Sequence, residues 1–154
     1  MKITGNNGLG KLLKVILIVG FIICIPMIIV SPMLLHHTRN SIYSAFIIYP
    51  NGILMLGIIY QFIKLFKSLE ENKPFTSKNV KLLKNTSIIS LIMSILWILD
   101  LLFMILIMKN TYVNYIIVMS FLSLLFFGVC IALYILAELL LQATKYKEEN
   151  DLTI

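Results

Sequence analysis

Charge, cysteine and tryptophan are scarce in this 154-residue chain, and each scarcity removes a class of function. Only 13% of the residues are charged, and seven of them are acids, with Asp100 and Asp151 the two aspartates. Acids so few and so scattered form no pair of carboxylates at a workable separation, and intramembrane aspartyl proteolysis needs a second aspartate that Asp151, in the tail, does not supply. Two cysteines, Cys24 and Cys130, are too few for a zinc cluster, and both fall inside apolar runs where a thiol is a small packing residue. There is no His-Glu-x-x-His motif, no Gly-rich phosphate loop and no serine elbow. The expectation is a protein that is not an enzyme and that holds no cofactor or metal.

What the chain has in abundance is long apolar runs. Sixty per cent of its residues are hydrophobic and the mean hydropathy is +0.97, far from the soluble average, in which about a quarter of residues are charged. Four runs, 12–35, 42–66, 87–108 and 113–141, each exceed or match the about 20 residues that cross a bilayer as a helix. The first is preceded by Lys2, Lys11 and Lys14 like a signal peptide, but it is too long, carries Pro26 and Pro32, and lacks a small-residue cleavage site. The segments between and beyond the runs are too short to bury a core of their own. The fold class is therefore all-α: a polytopic integral membrane protein, a four-transmembrane-helix bundle forming one membrane domain over 1–154.

Eleven of the thirteen basic residues lie before or in the first turn of the first run, from the last turn of the second to the start of the third, or after the fourth, leaving Arg39 and Lys109 for the other side. Basic residues in short loops accumulate on the cytoplasmic face, so both termini are expected there, in a cell membrane crossed four times. The net charge of +6 then reads as topology and attraction to anionic lipid on that face. A direct nucleic-acid role is not expected, because the lysines adjoin membrane helices and no base-reading module accompanies them. On the outer side His36-His37 stand beside no Cys, Asp or Glu that would complete a metal site. Tyr43, Tyr49, Tyr112 and Tyr115 fall at that boundary as amphipathic anchors.

Within the runs the polar residues are costly and therefore informative. Pro50-Asn51-Gly52 removes a helical donor in the second run and predicts a kink. Asp100 lies near the bilayer middle, where a carboxylate must face the protein interior. Glu138 lies about 13 Å nearer the cytoplasm, so the two acids are not a direct pair, and Lys14 is at a depth that lets it either bridge to Glu138 or snorkel to the headgroups. Ser120, Ser123, Phe127, Cys130, Tyr134 and Glu138 recur at steps of three and four, and this face is expected to point inward. Asp100 is rotated about 80° from Ser90, which breaks any continuous polar path. Ser90 with Ser94, and Gly128 with Ala132, are small pairs that permit close helix approach, and with it a homo-oligomer.

The inner loop, 67–86, is expected to be a cytoplasmic helical hairpin. Asn72 to Pro74 end one helix and Thr76 or Ser77 cap the next. The tail, 142–154, continues the fourth helix and then ends in acids and apolar residues that oppose the basic hairpin. Pro74, Phe75, Thr76 and Asn79 in the loop, with Asn150, Asp151, Leu152, Thr153 and Ile154 in the tail, are the candidate contacts for a cytoplasmic or membrane protein partner.

The loop Lys73-Pro74-Phe75-Thr76 followed by Asn79-Val80, the pair Ala137-Glu138, and the end Glu148-Glu149-Asn150-Asp151-Leu152-Thr153-Ile154 are distinctive in combination. Over nearly its whole length the chain resembles a family of small bacterial membrane proteins filed as a domain of unknown function. The resemblance supports the four-span fold. Members of that family are often encoded beside a small helix-turn-helix regulator of the Cro/C1 type, which implies a signalling or regulatory setting, and there is no family activity to assign to single residues. The favoured expectation is a non-enzymatic accessory protein, regulatory, sensory or immunity-like, that works through its loop and tail. The alternative is a small proton-coupled or drug-efflux transporter using Asp100 or Glu138, although small four-helix multidrug transporters carry their essential acid in the first span, where this chain has Lys14.

Overall fold

A computed structural model describes the backbone over residues 9–34, 41–71, 74–106 and 113–151, and side chains over 11–30, 48–71, 74–106 and 113–150. Among the described residues the fold is all-α, with four helices: α1 (Leu9–Leu34), α2 (Ser41–Glu70), α3 (Ser77–Leu106) and α4 (Val113–Asp151). All four are long and apolar enough to cross a membrane, the signature of a multi-pass membrane protein. The helices overrun the apolar runs mainly at the lysine-rich end. There α2 continues to Glu70, α3 begins ten residues before Ser87, and α4 extends to Asp151. Helix α2 passes through Pro50 without interruption.

The helices pack in chain order: α1 lies on α2, α2 on α3 and α3 on α4, and the described backbone of α1 approaches neither α3 nor α4. The four spans thus do not close around a common interior. Helix α3 is central and is buried along a broad arc that includes Asn79, Val80, Leu83, Thr86, Ser87, Ser90, Met93, Ser94, Asp100 and Met104. At the lysine-rich end Leu83, Leu133 and Ala137 form a small core that Phe62 and Leu65 of α2 also cover. No residue of the α1 span is fully buried. Its half-buried stripe of Leu13, Lys14, Leu17, Phe21, Cys24 and Ile28 keeps the three-and-four spacing of a helix with one packed face.

Helices α1 and α2 approach closely at Gly52. A Cβ there would stand 2.7 Å from Ile28 Cγ1, 2.9 Å from Cδ1 and 3.1 Å from Cγ2. Glycine admits the neighbouring helix where any side chain would push it away, and β-branched Ile28 has little rotamer freedom with which to yield. Gly128, in contrast, has open space around it, and both Gly128 and Ala132 are exposed. Of the two small-residue pairs, only Ser90 and Ser94 lie in a helix contact.

Gly52→Val is expected to lower the thermal unfolding midpoint of the micelle-embedded protein, at a cost of about 1–3 kcal/mol for overpacking. Adding Ile28→Ala to the same chain should recover part of the loss.

Candidate functional site

Helices α3 and α4 meet in antiparallel register through rungs of polar contacts. The Ser87 hydroxyl donates to the Cys130 carbonyl at 2.9 Å, with Cys130 Sγ 3.4 Å away. Seven residues further along α3, Ser94 donates to the Ser123 carbonyl at 3.0 Å and Ser123 donates back to the Ser94 carbonyl at 3.2 Å. Toward the far end Tyr115 donates to the Asp100 carboxylate. The seven-residue step on both helices between the first two rungs fits the shallow crossing of left-handed helix pairs, and small side chains there bring the backbones within reach of the hydroxyls.

This register corrects the expected inner face of α4. Ser123 is buried and Cys130 half-buried, but Ser120, Phe127 and Tyr134 are exposed, and Leu133, Ala137 and Thr144 are buried in their place. The rings of Phe127 and Tyr134 are too wide for a seam built on serine, cysteine and alanine. Tyr115 turns inward and bonds Asp100, whereas Tyr49 remains exposed. The 80° between Ser90 and Asp100 does not separate them, because α3 is covered by both α2 and α4 and its buried arc holds both residues, at 0% and 4% exposure.

Of the two readings open for Lys14, the bridge to Glu138 is not formed. Lys14 on α1 meets Glu70 in the last turn of α2 at 2.6 Å, and Lys84 on α3 meets Glu138 on α4 at 2.6 Å. Each ion pair joins helices adjacent in the packing order, and α1 cannot reach Glu138 because α2 and α3 stand between. Both pairs are partly exposed, whereas Asp100 is enclosed. Lys64 lies over the Tyr60 ring at 4.2 Å and Lys84 at 5.8 Å from that of Tyr134, contacts typical of cations beside aromatic faces.

The turn between α2 and α3 is organised by one buried amide. Asn79 is completely buried, and its Nδ2 donates to Ser68 Oγ and to the Pro74 carbonyl, each at 2.9 Å. One side chain thereby ties the first turn of α3 to the last turn of α2 and to the loop between them. Thr76 is the N-cap of α3, its Oγ1 accepting from the Asn79 backbone N–H at 3.3 Å. Pro74 is half-buried, and Phe75 projects with 39% exposure. Of the loop candidates, Asn79 and Thr76 therefore build the turn and Phe75 is presented by it. Asn150 is exposed near the end of α4, Asp151 is the last helical residue, and Leu152, Thr153 and Ile154 lie outside the described residues, as do His36 and His37. Sequence reading missed the Lys84–Glu138 pair and the α3–α4 register. The signal for the register was present in the heptad spacing of Ser87 and Ser94 and of Ser123, Cys130, Ala137 and Thr144.

Among the described residues no three His, Cys, Asp or Glu side chains converge as metal ligands. Fold and site together define a four-span membrane protein with a polar intramembrane seam and a clamped helical turn. The chain belongs to the family described as protein of unknown function (DUF2975), which it matches over residues 11–154. No curated protein and no solved structure matches it.

Asn79→Ala should destabilise the protein by about 1–3 kcal/mol, the range for losing bonds of a buried polar group, with faster amide exchange confined to the α2–α3 turn. Reversing either charge of the Lys84–Glu138 pair should lower the unfolding midpoint, and the double exchange Lys84→Glu with Glu138→Lys should restore it.

Proposed function

We propose that this is a non-enzymatic accessory membrane protein, regulatory, sensory or immunity-like, that contacts a protein partner through the α2–α3 turn and the end of α4. The observation that carries the reading is the Asn79 clamp, which holds Phe75 outward on a rigid turn instead of leaving it in a loose loop. Partner binding loses less entropy when the contact is preorganised, and an exposed aromatic residue on such a turn suits a contact point. Helix α4 adds a second arm, running about 18 Å from Glu138 to Asn150 at 1.5 Å per residue and carrying exposed Tyr146, Glu148 and Glu149. In this reading the lysine-rich end is cytoplasmic, with both termini on that side.

The same end is suited to anionic lipid. On α2 the exposed stripe runs from Ile53 through Tyr60 to Lys64 and Lys67, and on α3 from Ile88 through Asn85 to Lys81 and Lys78. Each stripe changes from apolar to basic at one level, the pattern of a helix leaving the hydrocarbon for the headgroups. The alternative is a small proton-coupled or drug-efflux transporter using Asp100, which is enclosed, or Glu138, which is paired with Lys84.

Photo-crosslinking in native membranes from probes at Phe75 and Leu152 tests the reading. The same protein should be captured at both positions, and capture from Phe75 should be lost when residues 150–154 are deleted while membrane insertion persists. Capture of lipid alone, or only of further copies of the chain, removes the cytoplasmic contact from the mechanism.

A further inference from the structure

The packing of α2 on α3 divides the pair into two sides. Ser68 accepts from Asn79, Gln61 accepts from Thr86, and Gly57 stands beside Ile89, whose Cδ1 a Cβ at Gly57 would meet at 3.8 Å. These contacts fix the facing residues and an antiparallel register. One side belongs to α4: Ser87 and Lys84 of α3 bond to it, and Phe62 and Leu65 of α2 cover the core it shares with Leu83. At about 100° per residue, Lys64 and Lys67 fall on the opposite flank of Gln61 from Phe62 and Leu65, and Lys78 and Lys81 on the opposite flank of Thr86 from Ser87. Because the helices are antiparallel, these two flanks are the same side of the pair, the one turned away from α4. Helix α1 leaves it open, since Gly52 and Glu70, which meet α1, lie about 180° around α2 from Gln61.

All four lysines are exposed. Lys64 and Lys67 lie between Gln61 and Ser68, Lys81 lies between Asn79 and Thr86, and Lys78 adjoins Asn79, so the register gathers them within about 10 Å of helix axis. Among the described residues Glu71 is the one acid exposed on this side, Glu70 being turned to Lys14. The side is therefore cationic at this level. One turn nearer the apolar segment the Lys64 ammonium rests over the Tyr60 ring at 4.2 Å. Beyond it Ile53 and Ile92 are 64% and 43% exposed, and Gly57, having no side chain, leaves a furrow between the helices beside Ile89. A soluble anion would use the lysines alone. A ligand that uses both parts carries an anionic head joined to hydrocarbon, and basic clusters at the end of a membrane helix attract anionic lipid.

We propose that this side of the α2–α3 pair is a binding site for one anionic phospholipid, its phosphodiester among Lys64, Lys67, Lys78 and Lys81 and an acyl chain along Gly57 and Ile89. The proposal rests on the lipid reading of the lysine-rich end given above and makes it a defined site; it uses neither Phe75 nor the tail.

Native mass spectrometry of the full chain, released from micelles containing phosphatidylglycerol or phosphatidylcholine, tests it without reference to topology. One phosphatidylglycerol should be retained in preference to phosphatidylcholine. Lys64→Gln with Lys81→Gln should weaken retention about thirtyfold, on the order of fivefold for each lysine removed from an anionic surface, while Lys145→Gln with Lys147→Gln on α4 leaves it unchanged. Gly57→Leu should also weaken retention, with every lysine in place, by filling the furrow. Equal loss in the α4 variant would mean diffuse attraction and overturn the site, as would displacement of the lipid by excess inorganic phosphate. A preference for phosphatidylglycerol that survives the Lys64 and Lys81 changes removes this site alone, whereas no preference in the wild type removes the lipid reading with it.

Discussion

The hydrogen-bonded seam between α3 and α4 is the contact on which the rest of the structure depends. Lipid is as apolar as leucine, so two membrane helices gain nothing from hiding leucines against one another, and what distinguishes a packed pair is close approach and interhelical hydrogen bonding. Ser94 and Ser123 supply both, because each is small and each reaches the other's carbonyl. Bonds of this kind contribute individually about 0.6 kcal/mol in membranes, but they fix a register. With α3 and α4 locked, Lys84 falls opposite Glu138, Tyr115 falls opposite Asp100, and the Leu83–Leu133–Ala137 core is assembled for α2 to cover.

The outer members of the row are held by different means. Helix α2 joins α3 through the apolar core and through Asn79, whose amide spans α2, the loop and α3. Among the described residues helix α1 packs on α2 and is located by shape at Gly52 and by charge at Lys14–Glu70. The gradient from a bonded seam through a clamped turn to a helix resting on one neighbour leaves α1 with the fewest constraints. Because Glu70 closes the last turn of α2, the position of α1 is also tied to the turn that presents Phe75.

Much of this was legible in the chain. Four apolar runs, the Pro74 break, the Thr76 cap and the burial of Asp100 follow from local rules: length against bilayer thickness, a residue that cannot donate, a hydroxyl before a helix, a charge that hydrocarbon will not solvate. The errors concerned rotation and pairing. Phe127 and Tyr134 share a helical face with Ser123, but a periodicity in polarity cannot say that rings are excluded from a seam of small residues. Tyr115 has the composition of a boundary anchor and becomes a bonding partner because the register of α3 and α4 places it opposite Asp100. Lys14 and Glu138 were matched in depth, which is necessary for a bridge but says nothing of the helices standing between them.

By itself the sequence determined the solvent, the number of crossings and which residues are expensive, since these depend on hydrophobicity counted along the chain and on the cost of placing a given group in hydrocarbon. Tertiary structure decided which groups pair: Glu70 with Lys14, Lys84 with Glu138, Tyr115 with Asp100, and Ser68 and Pro74 with Asn79. The physical reason is that a helix offers its side chains in every direction. Which direction becomes interior is set by the neighbour that can approach most closely, a property of two surfaces together that neither segment carries alone.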